Sequence, residues 1–406
     1  HNGEVSSLMA TNAKNLAELL NTDTTVAVGD IADGSVTTAK LADGGVTTAK
    51  VADNAVTGAK LFAENLGRRN VIINGAMQVA QRGTSSTGLG ASSGYFTCDR
   101  WKIDGDNTDG RLTMTQTADG PAGFANCIKL DCTTADTSIA AGEYLVLAHR
   151  LEGQDLQQFM KGTSDAKSFT VSFYVKGNAS ATYILELVDR DNSRAVSKTF
   201  SVTTAWTRVE LTFPADTTGA LDDDNANSFD LQWWLHSGST YNSGTLQQTW
   251  ASTTSANRAV GGDSFFDSTS RTFFITGVQL EVGDTATPFE HRSFGEEFQL
   301  CKRYFQRVNN VQISGFIYND HPMGSYFLPV EMRAQPTATQ VVIGSAFSST
   351  NSTGQTTYSS PTSSSFQTGA NWLRIFLTGG SWSGSGNDRG NALLVSGFTT
   401  NLDAEL

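Results

Sequence analysis

Trp233 and Trp234 stand side by side in the run Phe229-Asp230-Leu231-Gln232-Trp233-Trp234-Leu235-His236. Alternate residues of a strand face opposite ways. Trp233 is therefore in phase with Phe229, Leu231 and Leu235, and Trp234 with Asp230, Gln232 and His236. The same reasoning places Tyr174 on the polar phase of Phe169–Lys176 and Trp206 on that of Arg208, Glu210 and Thr212. A ring on a polar face offers a flat apolar platform for the C–H face of a sugar, whose hydroxyls the neighbouring polar groups bond. Trp234, Trp206 and Tyr174 are the candidate glycan-binding residues. The competing expectation is that loops or neighbouring chains cover these rings.

No other constellation points to chemistry. The sequence holds no P-loop, no Gly-x-Ser-x-Gly elbow, no His-Glu-x-x-His and no paired Cys-x-x-Cys. The five histidines, His1, His149, His236, His291 and His321, are scattered, so no local metal box exists. Any chain with 40 carboxylates can pair two of them, so acidic pairs carry no information about glycoside hydrolysis. Two acidic turns offer weak calcium candidates, Asp104 and Asp106 in one and Asp222 and Asp224 in the other. Neither carries the complete oxygen set that calcium takes, and a solvated acidic turn is the expected reading. Cys98, Cys127, Cys132 and Cys301 lack zinc-ligand spacing and read as reduced, buried small hydrophobes. No cofactor, no bound metal and no catalytic residue is expected.

The elements that position these residues follow from composition. The 406 residues carry 40 acidic and 28 basic side chains, a net charge of −12, which argues against nucleic-acid binding. Charged residues are only 17% and hydrophobic residues 38%, with 39 glycines, a mixture that favours short strands and turns over long helices. No stretch reaches the roughly 20 apolar residues of a membrane helix, so no membrane insertion is expected. The first residues show no signal peptide, and the missing initiator Met suggests a processed chain or a fragment.

Val5, Met9, Asn12, Leu16 and Leu19 alternate at steps of four and three, a heptad seam that predicts a short coiled coil over residues 1–25. Residues 26–66 then repeat every ten residues, with Ile31, Val36, Leu41, Val46, Val51, Val56 and Leu61 at intervals of five. Neither helix nor strand has that period. One large apolar residue in five makes no core within a single chain, so three parallel chains are expected to bury these rings on a shared axis. Residues 67–292 alternate as strands separated by turn clusters and predict a β-sandwich of jelly-roll type. Over 293–309, Ser293 and Glu296 form a capping box ahead of Phe294, Phe298, Cys301, Phe305 and Val308, predicting an amphipathic helix whose phenylalanines join the trimer axis. Residues 310–406 read as a second, smaller β-domain, with Pro322, Pro329, Pro336 and Pro361 favouring edges and loops. The fold class is thus mostly β, in an elongated trimeric fibre.

Three stretches resemble bacteriophage tail-fibre and tail-tip proteins: the tandem Val-Thr-Thr-Ala-Lys repeat, the segment Asn70–Gly83 with Cys98-Asp99-Arg100-Trp101, and Gly277–Gly283 followed by Thr287-Pro288-Phe289-Glu290 and Cys301–Phe305. The last two bracket a domain similar to the jelly-roll carbohydrate-binding modules of such fibres. The resemblance implies a homotrimeric virion appendage that contacts other tail or baseplate proteins and attaches to host surface polysaccharide. It implies no specific ligand. The alternatives are a purely structural fibre segment or adaptor and, second, a capsule depolymerase. Tail-spike depolymerases tend to use long parallel β-helices, and no such repeat occurs here, so an enzyme is not expected.

Overall fold

The structure, a computed structural model, describes residues 37, 41, 45–47, 68–309, 313–318, 321–342, 346–351, 354–359, 363–378, 381–382, 392–395 and 399–406. The chain divides into two units, His1–Gly67 and Arg68–Leu406. In the first, Leu41 and Val46 are 45% and 54% exposed in the single chain. The seam residues Val5, Met9, Asn12, Leu16 and Leu19 and the repeat positions Ile31, Val36, Val51, Val56 and Leu61 lie outside the described residues.

The second unit begins with strands β1 (Ser85–Leu89), β2 (Gly94–Tyr95), β3 (Trp101–Asp106), β4 (Arg111–Thr117), β5 (Cys127–Thr134), β6 (Tyr144–Glu152) and β7 (Phe169–Gly177). They are followed by β8 (Ala181–Asp189), β9 (Arg194–Val202), β10 (Thr207–Phe213), β11 (Asn227–Ser237), a short helix α1 (Ser239–Asn242), β12 (Ala251–Ser252) and β13 (Thr272–Val282). Six strands form one sheet in the order β1-β4-β5-β13-β7-β10 and seven form another in the order β12-β9-β8-β11-β6-β3-β2. The apolar phases of both sheets meet in one core. Phe169, Val171, Phe173 and Val175 of β7 enter it, as do Phe229, Leu231, Trp233 and Leu235 of β11. Trp233 and Phe173 join the sheets with ring centres 5.6 Å apart. The period-2 pattern thus gives the antiparallel sandwich it predicts, with all four cysteines free and buried.

The motif segments tie this sandwich together. Asn70 accepts hydrogen bonds from Ile72 N–H (3.0 Å) and Leu280 N–H (3.2 Å), pinning the entry of the chain onto β13. Asn74 donates to the carbonyls of Val79 (2.8 Å) and Asp99 (2.9 Å), and its own carbonyl accepts from the Trp101 indole (3.1 Å).

Ser293 caps helix α2 (Phe294–Lys302), its hydroxyl accepting from Glu296 N–H at 3.2 Å. The helix is shorter than the sequence predicts, because Phe305 and Val308 belong to strand β14 (Phe305–Asn309). Phe305 is therefore no axis residue of a bundle: it is 2% exposed, and the Arg82 guanidinium lies 3.7 Å from its ring centre. Phe298 is half-buried against Ile73, Val79, Cys301 and Tyr304, while Phe294 is 58% exposed.

The remaining strands are β15 (Ile313–Tyr318), β16 (His321–Phe327), β17 (Thr337–Val342), β18 (Ala346–Asn351), β19 (Gly354–Ser359), β20 (Ser363–Gly369), β21 (Trp372–Thr378), β22 (Ser381–Trp382), β23 (Ala392–Val395) and β24 (Thr399–Asp403). They form a three-stranded sheet, β14-β24-β17, and an eight-stranded sheet, β20-β21-β16-β15-β23-β18-β19-β22. Pro322 departs from the edge or loop expected of it: it lies within β16, an interior strand of the eight-stranded sheet, opposite Ile317 of β15, and the ladder to β21 begins one residue later, at Met323. This part is fastened to the sandwich by ion pairs of Arg100 with Glu405 and Arg82 with Asp403 (3.0 Å), and the end of α2 by Arg303 with Glu152 (2.7 Å).

Candidate functional site

The two outer faces of the sandwich differ. On the seven-stranded sheet, the polar phase of β11 is buried along its length: Arg190 covers Asp230, and from Gln232 to His236 the chain between β11 and β13 folds back over it. Gly238 N–H donates to the Glu143 carbonyl, Ala259 N–H to Tyr241 and Asp263 N–H to Thr182, fixing that cover at 2.7–2.9 Å. Trp234 does point away from Trp233, but it is 3% exposed and packs with Val146, Ala148, Ile184 and Ala259. Its indole N–H donates to Glu186 at 2.8 Å, and the Arg258 guanidinium lies 4.7 Å from its ring centre. Trp234 is thus corrected from a binding candidate to a structural residue. A connection that covers one sheet face, residues 238–271, has no signature in the alternation of the strand beneath it.

On the six-stranded sheet the rings of Trp206, Tyr174, Phe124 and Phe289 stay partly exposed around a buried Phe274. Tyr174 and Lys176 share the outer phase of β7, and Phe274 lies opposite Lys176 on β13. Trp206, just before β10, meets Phe274 edge-on with ring centres 6.2 Å apart. The Lys176 ammonium sits 4.6 Å from the Phe274 ring and 5.2 Å from Trp206, and it pairs with Asp119 at 2.7 Å. Farther along, Phe124 contacts Tyr174 (5.2 Å), Phe289 (5.0 Å) and the exposed His291 (5.2 Å).

The strip depends on a break in β13. Its pairing with β7 shifts register between Thr276 and Gln279, and Gly277 there has φ of +62°. A Cβ at Gly277 would lie 2.7 Å from the Phe124 ring and 2.9 Å from Tyr174, so only a glycine lets both rings close over the bulge. The structure therefore brings Trp206 and Tyr174 onto one face and leaves Trp234 on the other. Phe124, Phe274 and Phe289 were missed in the sequence. Phe274 lies in a continuous apolar run, and the other two lie in connections without strand phase.

The calcium candidates do not assemble. Asp104 accepts from Ser93 (2.6 Å) and pairs with Lys102 (3.1 Å) and Arg150 (3.3 Å), while Asp106 is exposed. Asp222 accepts from the Ser228 hydroxyl (3.0 Å) and Asp224 from Ala226 N–H (2.7 Å). Among the described residues none of the four belongs to a group of three ligating side chains. A separate surface cavity of about 340 Å³ is lined by Leu156, Gln157, Met160, Lys161, Thr163, Asp165, Ala220 and Leu221.

No protein-family model matches this chain, and no curated protein matches it. Solved structures resemble its fold at low similarity. A carbohydrate-binding module of family 4 is 10% identical, covering 52% of this chain and 97% of its own, with a TM-score of 0.27. The xylan-binding CBM22-1 domain of Paenibacillus barcinonensis Xyn10C is 10% identical over 53% of this chain and 96% of its own, with a TM-score of 0.26. The enzymatically active domain of bacteriophage CBA120 tailspike protein 4 is 12% identical over 52% of this chain and 21% of its own, also with a TM-score of 0.26.

Proposed function

We propose that this protein is a trimeric, receptor-binding component of a phage tail fibre that attaches the virion to host surface glycan. The observation that carries glycan binding is the set of partly exposed rings Trp206, Tyr174 and Phe124, seated around the buried Phe274, with Lys176 and Asp119 beside them. Flat apolar faces interleaved with hydrogen-bonding groups suit a sugar chain, which presents both C–H faces and hydroxyls. A single strip of this kind binds weakly, and three linked copies gain avidity without new contacts. The trimer is supported by the repeat, whose Leu41 and Val46 stay exposed in one chain. The virion assignment rests on the tail-fibre resemblance of the three sequence stretches.

A glycan array probed with the full chain tests the reading, followed by Trp206→Ala and Tyr174→Ala on any hit. Each substitution is expected to weaken binding about tenfold, near 1.4 kcal/mol, at an unchanged melting temperature. Binding of no bacterial surface glycan at high valency favours the structural adaptor instead. Release of reducing sugar from host polysaccharide favours the depolymerase.

A further inference from the structure

The connection between β5 and β6 brings Asp136 and Glu143 to the end of β11, where His236 lies. One carboxylate oxygen from each acid and a ring nitrogen of the histidine all lie within 4.8 Å of one another. Asp136 and Glu143 are each 5% exposed, and His236 is 1% exposed. We propose that Asp136, Glu143 and His236 form a binding site for a divalent transition-metal ion of the zinc class.

Two atoms carry the argument. Glu143 Oε2 and His236 Nε2 are buried with no hydrogen-bond partner among the described residues. They face each other at 3.6 Å, too far for a hydrogen bond between them. A buried polar atom left unpaired costs about 1–3 kcal/mol, so two pointing at one spot mark a place where a further group belongs. The separation suits a metal: ligands about 2.0–2.1 Å from a tetrahedral ion stand roughly 3.4 Å apart.

The surroundings prepare all three side chains for this task. His236 Nδ1 lies 2.8 Å from the Ser264 hydroxyl. Donation from Nδ1–H to Ser264 leaves Nε2 with its lone pair toward the acids, the arrangement in which an imidazole binds metal. Asp136 is held by Thr108 Oγ1–H (2.8 Å), Asp109 N–H (3.0 Å) and Ser138 N–H (3.3 Å), which orient it without a competing cation. Gly238 N–H bonds the Glu143 carbonyl at 2.8 Å and locks the two segments together. One nitrogen and two oxygens fit zinc with a water as fourth ligand, whereas calcium takes six to eight oxygens. The site lies on the sandwich away from the ring strip and needs no assumption about glycan binding.

The test uses the full chain stripped with a chelator and then titrated with Zn²⁺ alone, followed by calorimetry and by metal content after gel filtration. The expected result is one Zn²⁺ per chain and a melting temperature that rises with free Zn²⁺. Ca²⁺ and Mg²⁺ at equal concentration should give neither. Glu143→Gln preserves size and neutralises the ligand; it should weaken Zn²⁺ binding at least tenfold while the apo melting temperature stays equal or rises. His236→Gln should act in the same direction. If Glu143→Gln binds Zn²⁺ as the parent does, the ion sits elsewhere and the proposal fails. If the parent binds no Zn²⁺ at micromolar concentration, the pocket holds only a shared proton, and the proposal fails equally.

Discussion

The Arg258 guanidinium spans Glu186 and the Trp234 ring, donating to the carboxylate at 2.7–3.0 Å and lying 4.7 Å from the ring centre. It also donates to Gln232 Oε1 at 2.8 Å. One side chain from the connection after β11 thereby neutralises an acid that is 1% exposed and seals a tryptophan. Arg258→Ala leaves Glu186 buried and unpaired, and should cost about 3–5 kcal/mol. Denaturant unfolding measures that loss, and iodide quenching of tryptophan fluorescence should rise as Trp234 opens. Arg258→Ala within 1 kcal/mol of the parent would show that the cover holds without this grip.

Gly277→Ala is expected to disturb the ring strip from beneath. The added methyl meets both Phe124 and Tyr174 at a backbone with φ of +62°, at a cost of about 1 kcal/mol for the backbone alone. Any glycan affinity supported by Trp206 and Tyr174 should fall with it. Gly283→Ala is the control: its φ is +119°, so the backbone is strained, but a Cβ there meets nothing within 4 Å. Equal loss of binding in both variants would argue that the strip is not what the ligand touches.

Burial pushes His149 down to about 3, with Arg100 adding to the effect. Its unfolded value is about 6.5, so between these values the unfolded chain takes up a proton that the folded chain refuses. Stability contributed by neutral His149 is therefore present above pH 6.5 and is lost as pH falls toward 3, by up to about 1.4 kcal/mol per pH unit. Asp99, pushed up to about 6 by burial, acts in the opposite direction as pH falls from 6 toward 4. His149→Gln isolates the histidine. Its stability deficit against the parent should shrink between pH 7.5 and 4.5 in urea unfolding, and a constant deficit would contradict the assignment.

Val46→Asp places a charge at a residue 54% exposed in the single chain. The expected outcome is a sedimenting mass that falls from three chains toward one, with the melting of the sandwich unchanged. A parent protein that already sediments as a monomer would remove the basis of the trimer.

Strand phase told which way each ring points; it said nothing of what lies over it. Trp206 and Tyr174 share a face because β10 pairs with β7 in a register that puts Arg208 opposite Tyr174. Trp234 obeys the same alternation and is nonetheless buried, since its cover comes from a separate stretch of chain. Phe305 shows the other gap: its helical spacing from Phe298 is real, but pairing of β14 with β24 claims it for a sheet. Likewise Asp136, Glu143 and His236 are unremarkable where they stand in the sequence and meet only through the sandwich. The motif stretches around Asn70, Asn74 and Trp101 were legible in another sense. Asn70, Asn74 and Trp101 hold the scaffold together, so their pattern reveals the fold and leaves the ligand open.

The position of β13 sets an order of events during synthesis. This strand, the last of the sandwich in sequence, lies between β5 and β7 in its sheet. Until residues up to Val282 have left the ribosome, β5 and β7 each offer an unpaired edge, a template for neighbouring nascent chains. Closure of this sheet therefore waits for the last strand of the sandwich, and a chain halted before Val282 would keep both edges open.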